Sequence, residues 1–217
     1  SMIQFLVRTF HFSLLINTGA ILSSQLIASP GDAYFMERWS EVESKLEPVD
    51  KEIKETLYRS KDIKAQNYLE RAENLLLEKG RESEVIMLCN KSLEIEESYI
   101  AYFMRAYAKN GIGLDKQAIA DLNKAIIINN NRAAAYNNRG VSYSNIGNNR
   151  KAISDFNKAI NLDKELAIAY HNIFIPKYNL GYKKSACDDI KKAAYLGSKI
   201  SLEWIESDNG KWCRNSR

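Results

Sequence analysis

The fold is decided by residues 135–160, AYNNRGVSYSNIGNNRKAISDFNKAI, because they repeat residues 101–126, AYFMRAYAKNGIGLDKQAIADLNKAI, at an interval of 34 residues (135 minus 101). Tyr, Gly, Ala, Asp and Lys recur at the same columns of both stretches. A third stretch at 169–194 keeps several of these columns. Self-similarity at this period is typical of an architecture of stacked repeats.

Each copy predicts two helices. Tyr136, Gly140 and Tyr143 share one helical face, because they lie at i, i+4 and i+7. Gly147 ends this helix, since glycine adopts the left-handed conformation without a Cβ penalty. Residues 152–160 carry the apolar stripe of a second helix. One copy cannot bury its stripe alone, so the copies must stack. We predict an all-α fold, a right-handed superhelix of helix-turn-helix units with capping helices.

The copies resemble the tetratricopeptide repeat, which has an aromatic residue, a Gly or Ala four residues on, a turn Gly and two later Ala residues. Departures are Lys109, where an aromatic is usual, and Phe174, where Gly or Ala is usual. The first copy keeps little beyond Leu69, Gly80 and the spacing. The resemblance divides the chain into repeats at 66–98, 99–132, 133–166 and 167–200. The run at 185–215 resembles, more loosely, the closing segment of repeat proteins from marine cyanobacteria.

The N-terminal segment, residues 1–33, predicts a signal peptide or membrane anchor. Its apolar run at 2–28 contains Arg8 as the only charge, which is similar to a secretory signal. The alternative is an amphipathic docking helix that packs on the body of the protein. The first interpretation favours an exported or membrane-associated protein over a cytoplasmic one.

Two further segments predict caps for the repeats. Residues 34–65 combine apolar residues at helical spacing with many charges, as N-terminal capping helices do. Residues 201–217 predict a C-terminal cap, which Leu202, Trp204 and Ile205 would close over the last repeat.

Composition argues against an enzyme or a metalloprotein. Two His and three Cys are too few and too scattered for a closed zinc site, and the sequence contains no recognisable catalytic motif. His171, the only histidine in the repeats, has no partner that the sequence identifies for general-base chemistry. We predict no catalytic residue, no metal and no cofactor. The net charge of +4 comes from residues 177–217, nine cations less five acids, and is too small to predict a nucleic-acid partner.

The family resemblance implies a protein or peptide partner on the concave face, which the first helices of the repeats line. Asn side chains offer a donor and an acceptor to a peptide backbone, and exposed aromatic residues are typical of binding hot spots. The alternative for each residue is packing against a neighbouring helix. Carried over by column, the predicted groove contains Phe103, Tyr107, Asn110, Asn137, Asn138, Val141, Ser144, His171, Asn172, Ile175 and Tyr178.

One subtype of the family clamps a partner's C-terminal carboxylate with Lys, Asn and Arg. Its columns fall here on Phe103, Tyr107, Asn138, Ile168 and Asn172, or one copy earlier on Glu70, Asn74, Met104, Ala134 and Asn138. Neither set supplies the cations that a carboxylate requires. We therefore do not expect a carboxylate clamp for chaperone tails.

Local spacing makes several further predictions. Pro176 predicts a kink or an early break of its helix, with Phe174 pushing the paired helix outward. Cys89 is predicted to be a buried thiol, whereas Cys187 and Cys213 are a candidate disulfide if the protein is exported. Pairs of Asp and Lys at i, i+3 are predicted to stabilise the second helices: Asp121/Lys124, Asp155/Lys158 and Asp189/Lys192.

These observations favour a non-catalytic protein–protein interaction module, acting as an adaptor, scaffold or assembly factor that binds a peptide or helix in its groove. One alternative is a membrane-tethered structural subunit of a larger complex, held by residues 2–28. A weaker alternative is a helical repeat that binds RNA through its basic C-terminal stretch, which would show a steep dependence on salt.

Overall fold

The computed structural model describes residues 62–76, 78 and 80–214, so the targeting segment predicted at 1–33 and nearly all of the caps predicted at 34–65 lie outside the described residues. No strand occurs in this described part, which confirms the all-α class. The helices are α1 (Ile63–Leu76), α2 (Glu82–Leu93), α3 (Tyr99–Gly111), α4 (Asp115–Ile128), α5 (Ala133–Asn145), α6 (Asn149–Leu162), α7 (Ala167–Asn179), α8 (Lys183–Tyr195), α9 (Lys199–Glu206) and α10 (Lys211–Arg214), with a 3-10 helix at Asp208–Gly210.

The first eight helices form four consecutive hairpins, α1 with α2, α3 with α4, α5 with α6 and α7 with α8. The first helices of neighbouring hairpins also touch one another, α1 on α3, α3 on α5 and α5 on α7. They therefore form an inner layer of the stack. Gly113 and Gly147 reverse the chain inside their hairpins at φ of +75° and +77°, a region that glycine enters without steric cost. The molecule has the stacked-hairpin architecture predicted from the repeat period.

Large and small residues alternate where the two helices of a hairpin cross. Gly140 is buried on α5, and a Cβ atom there would lie 2.8 Å from Cε1 of Phe156 on α6. The glycine thus makes room for the phenylalanine ring. The equivalent pairs in the neighbouring hairpins are Ala106 with Leu122, and Phe174 with Ile190, all of them buried.

The last hairpin corrects one expectation about α7. This helix contains Pro176 and still runs for 13 residues to Asn179, the length of α3 and α5, so the predicted early break does not occur. Phe174 is buried in a cluster with Ile190 and Trp204. Because Ile190 is smaller than the phenylalanine found at the same column of the preceding hairpin, the bulky side chain is accommodated inside the core.

The predicted i, i+3 pairs between Asp and Lys do not form among the described residues. Asp155 instead accepts hydrogen bonds from Nε and Nη2 of Arg139 at 2.7 and 2.8 Å, and Nη1 of the same arginine donates to Oδ1 of Asn123 at 2.7 Å. Arg139 on α5 therefore ties α6 to α4 of the preceding repeat. Arg105 makes the same pattern with Asp121 and Asn90 one repeat earlier.

In the last repeat, the arginine column is occupied by Ile173, and Lys177 reaches the carboxylate of Asp189 instead. The three aspartates are therefore structural, as predicted, but their partners lie on the first helix of the same hairpin. Spacing along one helix could not reveal this, because the pairing residues are 12 to 16 positions apart in sequence.

The C-terminal end of the stack is closed by an aromatic cluster. The rings of Phe174 and Trp204 lie 4.5 Å apart between centroids, and those of Tyr178 and Trp212 lie 5.7 Å apart. Trp204 and Ile205 pack on the last repeat as predicted. Leu202 does not, because 47% of its surface is exposed.

A disulfide joins this cap to the last repeat in the structure. Cys187 on α8 and Cys213 on α10 have Cα atoms 5.4 Å apart, within the range that a disulfide requires. Cys89 on α2 is fully buried, which confirms the predicted buried thiol. Burial raises its pKa to about 12.

Candidate functional site

The inner layer of first helices carries a chain of hydrogen-bonded amides. Nδ2 of Asn172 on α7 donates to Oδ1 of Asn137 on α5 at 3.1 Å, and Nδ2 of Asn137 lies 3.4 Å from Oδ1 of Asn138. Ser142 places its hydroxyl 2.9 Å from Oδ1 of Asn110 on α3 and 3.1 Å from the carbonyl oxygen of Asn138. These contacts bring residues of three repeats into one polar network, in which Asn137, Asn138 and Ser142 are buried whereas Asn110 and Asn172 are partly exposed.

The amide chain ends in an unsatisfied donor. Asn138 is only 4% exposed, and its Nδ2 atom has no hydrogen-bond partner among residues 62–76, 78 and 80–214. Its Oδ1 is occupied by Asn137, whose own Oδ1 accepts from Asn172. Leaving a buried amide donor without an acceptor costs about 1–3 kcal/mol. Because the Nδ2 atom exposes less than 1 Å², a carbonyl oxygen could satisfy it only after a local opening of the inner layer.

The aromatic residues predicted for the groove have different environments. Phe103 was expected to be exposed, but it is fully buried and stacks on Tyr99 with 5.5 Å between ring centroids. It therefore belongs to the hydrophobic core and presents no surface to a ligand. Tyr107 is half-buried, and burial together with nearby Glu82 raises the pKa of its hydroxyl. Tyr178 is 41% exposed and is the most accessible of the three predicted aromatics.

His171 lies at the junction between the last repeat and the cap. Its Nδ1 is 2.8 Å from Oγ of Ser201 on α9, and Ser201 in turn hydrogen-bonds Oγ of Ser198. Burial lowers the pKa of His171 below its ordinary value, so the imidazole is neutral near pH 7. The arrangement orients α9 against α7 and contains no acidic partner for the histidine, unlike the relays that activate a nucleophile.

The remaining predicted residues are at least partly exposed. Val141 and Ser144 on α5 are half-buried, and Ile175 on α7 is 52% exposed. Together with Asn110 and Asn172, they present neutral polar and apolar groups. No residue of the predicted groove carries a formal charge at neutral pH, so this surface is suited to an uncharged backbone and apolar side chains.

Sequence reasoning missed two residues that organise the site. Ser142 connects α3 to α5, and Ser201 anchors His171. The column of Ser142 holds Ala108 and Pro176 in the other repeats, so it indicates only a small residue at a helix contact. The available signal in the sequence was that Ser142 places a hydroxyl at a column that holds apolar residues in the other repeats.

The described residues contain no group of three or more His, Cys, Asp or Glu side chains that could hold a metal ion. None of the helices described is both long and apolar enough to cross a bilayer.

The sequence and the fold both have known counterparts. Residues 133–166 match the tetratricopeptide repeat family, and no curated protein matches the sequence significantly. A crystal structure of MamA superposes with a TM-score of 0.56 at 25% identity, covering 64% of this chain and 75% of that one. YrrB, described as a tetratricopeptide repeat protein with an unusual peptide-binding site, superposes with a TM-score of 0.58 at 20% identity, covering 81% and 89%.

A further similar structure is MamA from Desulfovibrio magneticus RS-1, with a TM-score of 0.57, 18% identity and coverage of 66% and 78%. Stacked hairpins with a polar inner layer define the class of helical-repeat interaction modules. Within that class, residues 133–166 match the tetratricopeptide repeat family, and the fold of the described hairpins is similar to that of solved tetratricopeptide repeat proteins.

Proposed function

We propose that this protein interaction module binds an extended peptide segment along its inner layer, with the side-chain amide of Asn138 donating to a backbone carbonyl of the peptide. The observation that carries the proposal is the unsatisfied Nδ2 of Asn138, at the end of the chain of amides. A bound carbonyl would remove the cost of that buried donor, which supplies a driving force specific to this position.

The surroundings of Asn138 support a neutral peptide backbone as the ligand. Asn172 and Asn137 hold its carbonyl group in place, and Ser142 fixes its backbone against Asn110 on the neighbouring helix. Exposed Ile175 and Tyr178 offer apolar contacts at the C-terminal end of the same layer. YrrB, which has a similar fold, is described as having a peptide-binding site, and this adds weight to a peptide ligand.

The experiment compares Asn138→Leu with Asn161→Leu, a matched change at an exposed asparagine of α6. A ligand is first selected from an array of random peptides, and its affinity is then measured by calorimetry. We expect Asn138→Leu to weaken binding about tenfold or more, since losing about 1.4 kcal/mol of interaction has that effect. Asn161→Leu should bind like the parent.

Stability provides the control for folding. Leucine is close to asparagine in size and removes the unsatisfied donor, but it also removes the acceptor of the buried Asn137 amide. We therefore expect the unfolding free energy of Asn138→Leu to lie within about 1–3 kcal/mol of that of the parent. A selected peptide that binds both variants equally would refute the proposal. So would an array from which no peptide binds the parent protein.

A further inference from the structure

A second surface is formed by the turns of the last two complete hairpins, at the edge of the stack. Residues 146–151 and 180–184, which we call the basic turn edge, enclose an open cleft of about 410 Å³ lined by Ile146, Gly147, Asn148, Asn149, Arg150 and Leu180. The cleft lies between successive turns, away from the amide chain of the inner layer.

The basic turn edge carries positive charge without compensation. Arg150, Lys151, Lys183 and Lys184 are exposed, and the two segments contain no Asp or Glu. No ion pair involves these four cations among the described residues. Lys151 and Lys183 are held over the rings of Tyr143 and Tyr178, at 5.3 and 5.7 Å from the centroids, so two of the charges have defined positions.

The first hairpin turn of the stack is different. There, Arg81 is already paired with Glu84 and Glu78, and Glu82 adds a further acid. The second turn carries one charge of each sign, Asp115 and Lys116, and Asp115 accepts a hydrogen bond from Asn145 beside the third turn. An excess of cations over acids is therefore found only in the later turns. If the fold itself required cations at its turns, every turn would carry them. Their concentration at two turns therefore indicates a surface that binds a particular class of ligand.

Apolar groups accompany the cations. Ile146 is 42% exposed and Tyr182 is 57% exposed, whereas Leu180 is half-buried in the cleft. Such side chains bury apolar area when a partner covers them, and exposed apolar groups rimmed by charge are typical of interaction sites. The pattern requires a ligand that is both anionic and apolar.

We infer that the basic turn edge binds an acidic peptide segment of a partner protein, with an apolar side chain of that segment seated in the cleft between Ile146 and Leu180. The four cations form no ion pair with a described residue, and charge complementarity with them selects the acidic residues. The cleft favours a peptide over an anionic bilayer, because a concave space between two turns accommodates a single projecting side chain. This site lies apart from the amide chain that ends at Asn138, and it meets the inner layer only where Lys183 lies over the ring of Tyr178.

The experiment uses the full chain and a synthetic peptide with repeating Glu-Glu-Leu-Leu units, whose binding is followed by fluorescence anisotropy. We expect Lys183→Glu combined with Lys184→Glu to weaken binding about tenfold or more, and added salt to weaken it progressively. The matched control reverses two exposed lysines elsewhere, Lys124→Glu with Lys164→Glu, and should bind as the parent does. Circular dichroism verifies that both double variants fold.

Two further measurements separate this surface from its alternatives. Ile146→Ser leaves all charges unchanged and is expected to weaken binding of the acidic peptide severalfold, because it removes apolar contact. Asn138→Leu should leave this binding unchanged. Equal losses in both charge-reversal variants, no binding of the peptide, or binding only to vesicles of equal parts phosphatidylserine and phosphatidylcholine would each overturn the inference.

Discussion

The absence of a Cβ atom at Gly140 sets how closely the two helices of the third hairpin approach each other. Gly140 has no Cβ, and an added one would meet three ring atoms of Phe156 at 2.8 to 3.0 Å. In the second hairpin, the same two columns hold Ala106 and Leu122. The two hairpins thus fill the same space with different pairs of residues, Gly with Phe in one and Ala with Leu in the other. We expect that one pair can replace the other only when both residues are changed.

We predict that Gly140→Ala lowers the unfolding free energy by about 1–3 kcal/mol, because the new methyl group overpacks the core. Adding Phe156→Leu should recover part of this loss, since the double variant reproduces the pair of the neighbouring hairpin. Urea unfolding of the parent, both single variants and the double variant measures the coupling. Strictly additive effects would show that the two side chains do not compete for space.

His171 makes the unfolding free energy depend on pH, and its contribution decreases on acidification. Its pKa is lowered in the folded state by burial, so the unfolded chain binds a proton more readily. This contribution is fully present above the ordinary histidine pKa and is lost as the pH falls through it towards the lower folded value. We predict that lowering the pH from neutral to below the ordinary histidine pKa reduces the unfolding free energy of the parent more than that of His171→Gln. Urea unfolding of both proteins at the two pH values measures this difference. Equal pH dependence in the two proteins would contradict this.

Elements are held in register by an arginine on each of two first helices. Arg139 contacts Asp155 on its own hairpin and Asn123 on the preceding one, so it acts both within a repeat and between repeats. The carboxylate of Asp155 is almost fully buried. Removing the arginine would leave this acid without a cation.

We predict that Arg139→Ala lowers the unfolding free energy by about 2 kcal/mol, which allows for partial exposure of the guanidinium. Arg81→Ala, which removes the exposed pair with Glu84, should leave stability unchanged within error. Both are measured by chemical unfolding. An equal effect of the two variants would show that the connection between hairpins has no energetic role.

For the helices, the sequence predicts which ones form, but it does not predict which side chains join one helix to another. The repeat period and turn residues such as Gly147 establish the hairpins, because local spacing determines them. The partners of Asp155 and Asn138 depend on side chains from other helices, which only stacking brings together. Phe103 illustrates the same limit, since its column predicts a groove aromatic but its neighbours bury it.

The whole molecule is closed at its C-terminal end by the aromatic cluster and by the disulfide between Cys187 and Cys213. We predict that the unreduced native protein resists alkylation, because Cys89 is buried and its pKa is raised to about 12. Unfolding without reductant should expose one thiol, and unfolding with reductant all three. Mass spectrometry counts the adducts. Three adducts without reductant would show that the two cysteines are not paired.

The central claim is that a peptide backbone binds the inner layer at Asn138. The most direct measurement is a nitrogen–proton NMR titration of the full chain with the peptide selected from the array, following the side-chain amide signals. The account predicts that the Asn138 signal shifts strongly, with smaller shifts for Asn137 and Asn172, while exposed Asn161 stays in place. Saturated binding that leaves the Asn138 signal unmoved would contradict it.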